Sequence, residues 1–508
     1  MSAFDVIIIG GGVNGMGAAA LLAKRGKKVL VLESNDKCGG AIRTEEITLP
    51  GYRHDLFATN LSLFAGGPIM AELKDDLIAA GLEFVPSNKP FCSVFPDGKA
   101  LGVVQDFAAT EANINRIAPE DLAAWRALSA KLGLLAPHIL PILGNELPSL
   151  KVAKALFKSW RALGTTEFLS LIRLLLQSTR SFTSENFRAR ETRALAASWG
   201  MHLDYGPDIA GGALFAFLES IGGQMFGMVL GKGGADVIPN ALTKVIKKYG
   251  GEIRTNAKVK LITSENGKAT GITLVNGEVI TAQEVIANLN PALIPNLLDS
   301  AERSRPEIQE INKFAPGLAT MMIHLAMDKL PQWKAQEARE YNYVHIGPYI
   351  DDMALAYAEA AAGKLPKTPT LVVGQPTLTD PSRAPEGKHI LWIQVRVLPH
   401  GVDWGKEGER YADQVIEIIE SYAPGTKSSI LSRAVLTPAD LESYNVNLVG
   451  GDSLGGSHHI SQFFFLRPLP AWSRHRTPLK NLWICGSGTW PGGGVGGASG
   501  AIVANSLA

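Results

Sequence analysis

The sequence predicts an α/β fold in which separated segments assemble into one nucleotide-binding unit, beside a second unit of mixed sheet under a helical cap. Three observations carry this expectation. The first 33 residues run strand, glycine turn, helix, strand, acid. A glycine-dense loop, Gly486 to Gly500, follows a strand near the other end. Between them, helical periodicity from Pro68 to Ser220 gives way to short strand-like runs.

In the opening stretch, Val6-Ile7-Ile8-Ile9 is a β-branched strand, and Gly10, Gly12 and Gly15 fill G-x-G-x-x-G. A small-residue helix runs from Met16 to Lys24, Val29 to Leu32 form a second strand, and Glu33 closes it. This is a Rossmann-like dinucleotide fingerprint. Gly10 turns the chain, Gly12 admits a pyrophosphate close to the backbone, and Gly15 lets helix and strand pack. The helix N-terminus around Val13 and Asn14 offers N–H groups and a positive dipole end. Glu33, with Ser34 beside it, suits a ribose and would repel a 2′-phosphate.

A chain of 508 residues has room for two or three domains. A net charge of +1 with 19% charged residues points to no nucleic-acid partner. Cys38, Cys92 and Cys485 form no C-x-x-C, which argues against disulfides, zinc or a redox dithiol, so no metal is expected. No basic region precedes the first apolar run and no run is long enough to span a bilayer, so a cytoplasmic, reduced compartment is expected.

After Glu33, Cys38-Gly39-Gly40-Ala41-Ile42-Arg43-Thr44 leads to Pro50-Gly51-Tyr52-Arg53-His54-Asp55. A second glycine pair lets another loop close over phosphates, with Arg43 adding charge; a plain hairpin is the alternative. The pattern E-x5-G-G-x-x-x-T followed by P-G-Y-x-x-D resembles the flavin-binding region of the phytoene desaturase and amine-oxidase superfamily, most of all its phytoene-dehydrogenase-related branch. One departure stands out: Ala41 occupies the position after the glycine pair where that superfamily commonly has Arg, and Arg43 comes two positions later.

Further along, Ala71 to Ile78 and Pro119 to Leu134 have helical spacing, and Phe91 to Lys99 reads as a hairpin turning at Asp97-Gly98. From Lys131 to Arg193, ten Lys/Arg stand against four Asp/Glu among Leu, Phe and Trp160. Such helices suit either a cap with a solvated basic face or an anionic membrane surface. The Phe168–Leu176 stretch suits an apolar tunnel or a core equally.

Gly231 to Ala235, a helix from Val237 to Tyr249, Gly250-Gly251 and a strand from Val259 then follow, with hairpins at Asn266-Gly267 and Asn276-Gly277 and a strand ending at Asn288. The same order recurs in the superfamily, where the strand's Val meets adenine through its backbone; the resemblance gives Val259 that role. Met321 to Leu325 and Leu391 to Val395 read as strands and Arg410 to Tyr422 as an amphipathic helix, with His324 an ordinary sheet histidine.

Leu482 to Gly486 is a strand entering Gly486-Ser487-Gly488-Thr489-Trp490-Pro491-Gly492-Gly493-Gly494-Val495-Gly496. Each Gly costs about 1 kcal/mol of helix propensity, so this density makes sense where backbone must reach a flat ligand. G-x-G-T-x-P-G-G-G-V-x-G is similar to the C-terminal signature of phytoene desaturases. The resemblance implies a Rossmann-like FAD-binding domain assembled from 1–67, 225–300 and 475–508. A mixed-sheet substrate domain would take 68–224 and 301–474, with a cap over about 120–215. FAD contacts are expected from Gly10, Gly12, Val13, Asn14, Gly15, Glu33, Ser34, Gly39, Gly40, Ala41, Arg43, Val259, Asn288, Gly486, Gly488, Thr489, Gly494, Val495 and Gly496.

The cofactor carries the chemistry in such a protein. His458, in the segment before Arg467-Pro468, is the candidate for proton transfer, and His54, Asp55 and Trp490 are substrate-side candidates. The implied reaction is dehydrogenation of a hydrophobic, isoprenoid-like substrate by hydride transfer to flavin N5. An amine oxidase with an aromatic cage, and a non-oxidative isomerase or FAD-binding protein, are the alternatives. The electron acceptor stays open among quinone, oxygen and another protein, with peripheral membrane contact as an option. Oligomeric state is not legible.

Overall fold

The run Phe4–Ile9 and the run Val29–Leu32 bury almost every side chain, as strands covered by structure on both faces must. The computed structural model of the protein describes residues 3–507, so Met1, Ser2 and Ala508, at the outer ends of the expected nucleotide-binding segments, lie outside the described residues. A first sheet orders its strands Val259–Glu265, Lys268–Leu274, Val279–Ala287, Phe4–Ile9, Val29–Leu32 and Glu252–Arg254, and Leu482–Ile484 pairs with Val279–Ala287. Val279–Ala287 changes partners along its length. Val279 to Thr281 pair antiparallel with Lys268–Leu274, whereas Ala282 to Ala287 run parallel to Phe4–Ile9. The register aligns Ile9 with Ala287 and Leu32, and Ala287 with Ile484. Four parallel strands, from three distant parts of the chain, therefore end side by side. In an open α/β sheet that edge is where ligands bind.

The helices Val13–Lys24, Val237–Lys248 and Ala498–Ser506 pack on one face of this sheet. Helix Pro68–Ala79 joins them, burying Ile69, Leu73 and Leu77 in the same core. Gly17 makes this close approach workable, since a Cβ there would stand 1.7 Å from Ile69 Cδ1.

The second sheet is mixed, as expected. Its order is Ile430–Leu436, Ala319–Met327, His389–Leu398, Thr370–Gly374, Tyr343–Ile346, Phe91–Val94 and Ala100–Val103, and only the Tyr343–Ile346 and Phe91–Val94 pair is parallel. Its outer face packs on helix Trp404–Tyr422. Its inner face packs under the cap: Leu122–Leu143, Leu150–Leu176, Thr179–Asn186, Arg190–Met201 and Gly212–Phe226. Gly164, at φ 76°, breaks the long Leu150–Leu176 helix in two. Of the Phe168–Leu176 stretch, Leu171 and Leu174 are buried while Leu169 and Leu176 face outward.

The two sheets are tied by a buried charge network. Asp55, on the short strand His54–Asp55, accepts from Thr44 Oγ1 and Thr59 Oγ1 at 2.7 Å each and from Ala235 N–H at 2.8 Å. Arg383 pairs with both Asp55 and Asp380 and donates to the Gly231 carbonyl at 2.7 Å. Burial pushes the Asp55 carboxyl up, but the charge of the Arg383 guanidinium and hydrogen bonds from Ala235, Thr59 and Arg383 outweigh it and hold it below the usual range. Removing one partner of a buried pair costs about 3–5 kcal/mol, so Arg383→Met is expected to lose that much in urea unfolding. The low folded value means that this stabilisation is present at neutral pH and lost as pH falls through it. Asp55→Asn should therefore weaken the acid dependence of stability, a change read from urea midpoints measured down the acid range.

Candidate functional site

The N-terminus of helix Val13–Lys24 lies at the aligned strand ends. Gly12 caps it without a side-chain hydrogen bond, and no acidic residue occupies its first turn. The N–H groups at Val13, Asn14 and Gly15 are thus backed by a positive dipole end with no carboxylate opposing an anion. The cradle tolerates no side chains. A Cβ on Gly15 would lie 2.6 Å from the Gly10 carbonyl, and one on Gly12 would lie 2.9 Å from Asn288 Nδ2. Asn288 holds the turn by donating from Nδ2 to the Gly10 carbonyl at 3.1 Å.

Glu33 is buried at the end of its strand. Its Oε2 accepts from Gly11 N–H and its Oε1 from Asn35 N–H, both at 2.8 Å, and the exposed Ser34 donates to Oε1 at 3.2 Å. The second glycine pair closes against the first: Gly39 N–H donates to the Gly11 carbonyl at 2.8 Å, and a Cβ on Gly40 would meet Gly12 Cα at 3.1 Å. Ala41 is half-buried beside this loop. Arg43 is engaged with Glu45 and Asp36 and lies over the Tyr444 ring, at the rim rather than in the cradle. Val259 starts its strand opposite Leu274, and Ala257 N–H, two residues earlier, bonds to the Glu33 carbonyl at 2.8 Å. The Val259 strand and Glu33 are thereby locked together.

The C-terminal loop completes the groove. Gly486, at φ 116°, receives its position from Ser499 Oγ, which accepts its N–H at 3.0 Å, and Thr489 Oγ1 lies 2.7 Å from the same hydroxyl. Gly488 packs on Pro291. Gly494 is exposed, with Val495 and Gly496 half-buried, and both Gly494 and Gly496 lie against Leu63. Gly500 allows the last helix to meet the first, since a Cβ there would stand 1.9 Å from the Asn14 carbonyl. Arg467 is a fully buried cation that clamps this region, donating to the Ser457 carbonyl at 2.9 Å and the Ser487 carbonyl at 2.7 Å. The residues present fit an FAD: an uncapped helix end for the pyrophosphate, a fixed acid for the ribose, and an open glycine backbone for the isoalloxazine.

The proton-transfer and substrate-side candidates sit elsewhere than expected. His458 is buried under the loop, and its Nε2 accepts from Gly493 N–H at 2.8 Å. Burial and the Arg467 charge hold its pKa well below the usual imidazole range. A neutral imidazole whose lone pair is already used holds the loop in place and has none left to take a substrate proton. His54 and Asp55 do not face a substrate either. Asp55 is the buried anchor of the network above, and His54 lies 2.8 Å from Thr48 Oγ1 and edge-on to His324. Trp490 is buried and donates to the Asn145 carbonyl at 3.1 Å while packing on Phe463 and Phe464, so it ties cap to loop rather than forming a cage wall. Arg383, Ser499 and Arg467 escaped sequence reasoning as structural clamps; the Arg-Pro pair at 467–468 was the one available signal.

Hydrogen bonds to a charged group are worth about 1.5–3 kcal/mol, so Glu33→Gln should weaken FAD binding by about tenfold or more. Gly15→Ala should yield folded but flavin-poor protein. Both outcomes are read from the ratio of flavin to protein absorbance and from FAD titration of the apoprotein.

The profile of the flavin-containing amine oxidoreductase family matches residues 14–504. The mouse pyridine nucleotide-disulfide oxidoreductase domain-containing protein 2 is 28% identical over 539 residues, covering 98% of this chain and 92% of that one. The neurosporene-forming phytoene desaturase of Rhodobacter capsulatus is 28% identical over 518 residues, covering 96% and 90%. Cyclohexylamine oxidase from Brevibacterium oxydans shares the fold at a TM-score of 0.60 and 17% identity, covering 99% of this chain and 98% of that one. The chain belongs to the flavin-containing amine oxidoreductase family and is an FAD-dependent oxidoreductase.

Proposed function

We propose that the protein dehydrogenates a hydrophobic, isoprenoid-like substrate, introducing a carbon–carbon double bond. The carrying observation is the apolar character of the surface beside the exposed Gly494. Leu63, 54% exposed, would lie 2.7 Å from a Cβ at Gly494. Phe226, 67% exposed, stands three residues before Val229, which bonds to Leu61 and Ser62. Bound FAD supplies the hydride acceptor. The helix end at Val13, the carboxylate of Glu33 and the loop at 486–497 would hold it, with Leu63 an apolar neighbour of that loop. The phytoene desaturase among the relatives supports this class of substrate. An amine oxidase would need a free aromatic cage, and Trp490, Phe463 and Phe464 are spent on packing against one another.

A membrane surface is the proposed source of such a substrate. Leu150, Phe157 and Trp160 point outward from the cap, interspersed with Lys151, Lys154, Lys158 and Arg161, none of which is ion-paired among the described residues. Apolar side chains with a Trp and unpaired cations suit the interface of an anionic bilayer. Among the described residues, no helix is long and apolar enough to cross a membrane.

Anaerobic mixing of the holoenzyme with phytoene, limonene, terpene alcohols and primary amines tests the reaction. The isoprenoids are expected to bleach the flavin; bleaching by amines alone overturns the reading. In vesicle flotation, the protein should bind membranes containing phosphatidylglycerol and be released by salt. The double variant Phe157→Ser, Trp160→Ser should bind at least about tenfold more weakly, because each exposed aromatic contributes more than 1 kcal/mol on insertion.

A further inference from the structure

Helix Gly212–Phe226 runs from the His458 side of the C-terminal glycine loop to its Leu63 side. At its start, Gly211 packs on Ile460, two residues beyond the His458 that holds Gly493. At its end it passes through Gly227 into strand Met228–Gly231, which bonds to Leu61 and Ser62 next to the Leu63 that touches Gly494 and Gly496. The helix is therefore pinned at both places where the loop is pinned. Of its six half-buried residues, Phe215, Leu218, Glu219 and Gly222 recur at helical spacing and mark one face. Phe215 shows where that face points: its ring lies 5.6 Å from Phe463, which lies 5.1 Å from His458. Glu219 follows Phe215 by one turn, at the middle of the span.

The Glu219 carboxyl has no ion-pair or hydrogen-bond partner among the described residues; burial alone acts on it, pushing its pKa up to about 7. It is densely surrounded by protein yet keeps accessible surface, on the same face as Phe215. A structural glutamate so enclosed would ordinarily be paired.

We propose that Glu219 is the base that receives the proton lost when the substrate is dehydrogenated, an assignment that rests on the dehydrogenase reading above. Forming a double bond removes two hydrogens from adjacent carbons. One leaves with its electron pair to the bound flavin. The other leaves as a proton to the Glu219 carboxylate, and its C–H electron pair becomes the new π bond. A carboxyl that titrates near neutrality is suited to accept a proton and release it again each cycle.

Two measurements on the holoenzyme test this. Dicyclohexylcarbodiimide, which modifies protonated carboxyl groups in apolar surroundings, should label Glu219 below neutrality and much less above it, as read by peptide mass mapping; no labelling overturns the placement. With whichever isoprenoid bleaches the flavin, Glu219→Gln should slow reduction about a hundredfold or more, at unchanged flavin content, and flatten its pH dependence, while Glu219→Asp restores part of the rate. Equal rates in wild type and Glu219→Gln overturn the base role while the dehydrogenase reading stands. A rise in KM confined to amines also overturns it, by making Glu219 an ammonium-binding group. If no isoprenoid bleaches wild type, the dehydrogenase reading and the base role fall together, and labelling still reports whether the carboxyl faces an apolar space.

Discussion

The buried pair of Asp55 and Arg383 is the constraint on which the rest of the structure depends. Both side chains are cut off from solvent, and the Asp55 carboxylate owes its charge there chiefly to the Arg383 guanidinium. Through Thr44 and Ala235 the pair reaches the segment after the fingerprint and the glycine turn that leads back to it; through Asp380 it also reaches Gly233 N–H at 2.6 Å. Arg383 itself comes from the connection between two strands of the second sheet. One network thus sets the nucleotide cradle against the sheet that carries the substrate side. Relative placement of the two is what a transfer between cofactor and substrate requires, since small misplacements of reacting atoms are costly.

The glycine loop at the far end of the chain presents a different problem. Backbone without side chains has no packing of its own, so its shape must be imposed from outside. Ser499, His458 and Arg467 do this, each by a hydrogen bond to loop backbone. Arg467 is the extreme case: burial lowers its pKa to about 10, still high enough to keep the guanidinium charged and attracted to carbonyl groups. The result is a preorganised polar backbone that need not reorganise when charge develops on a bound ligand. His458 therefore matters for the site without carrying a proton in it.

Much of the architecture was legible because its signals are local or are fixed by chain order. The Val29–Leu32 strand, the Phe91–Val94 hairpin and the helix at Val237 follow from apolar periodicity and turn residues, and the structure places them within a few residues of expectation. The fingerprint glycines were legible because only glycine survives at a 2.6 Å approach to a carbonyl. What misled was chemistry inferred from residue type alone. A histidine and an aspartate beside a flavin motif suggest catalysis, and an isolated Trp suggests a cage wall. Whether each faces a ligand or a packing partner depends on neighbours hundreds of positions away, such as Arg383 for Asp55 and Asn145 for Trp490.

The sequence by itself determined the cofactor class. A strand, a glycine turn, a helix end and an acid at set spacing mark a dinucleotide site, and the resemblance of the glycine loop at the other terminus to the phytoene desaturase signature makes that dinucleotide a flavin one. Tertiary structure alone decided which side chains are free to act. Glu219 carries no local signature, being one acid in an apolar helix, and it becomes chemically distinct only because the fold buries its carboxyl. The strength of a proton acceptor is set by its surroundings, and surroundings are a property of the fold.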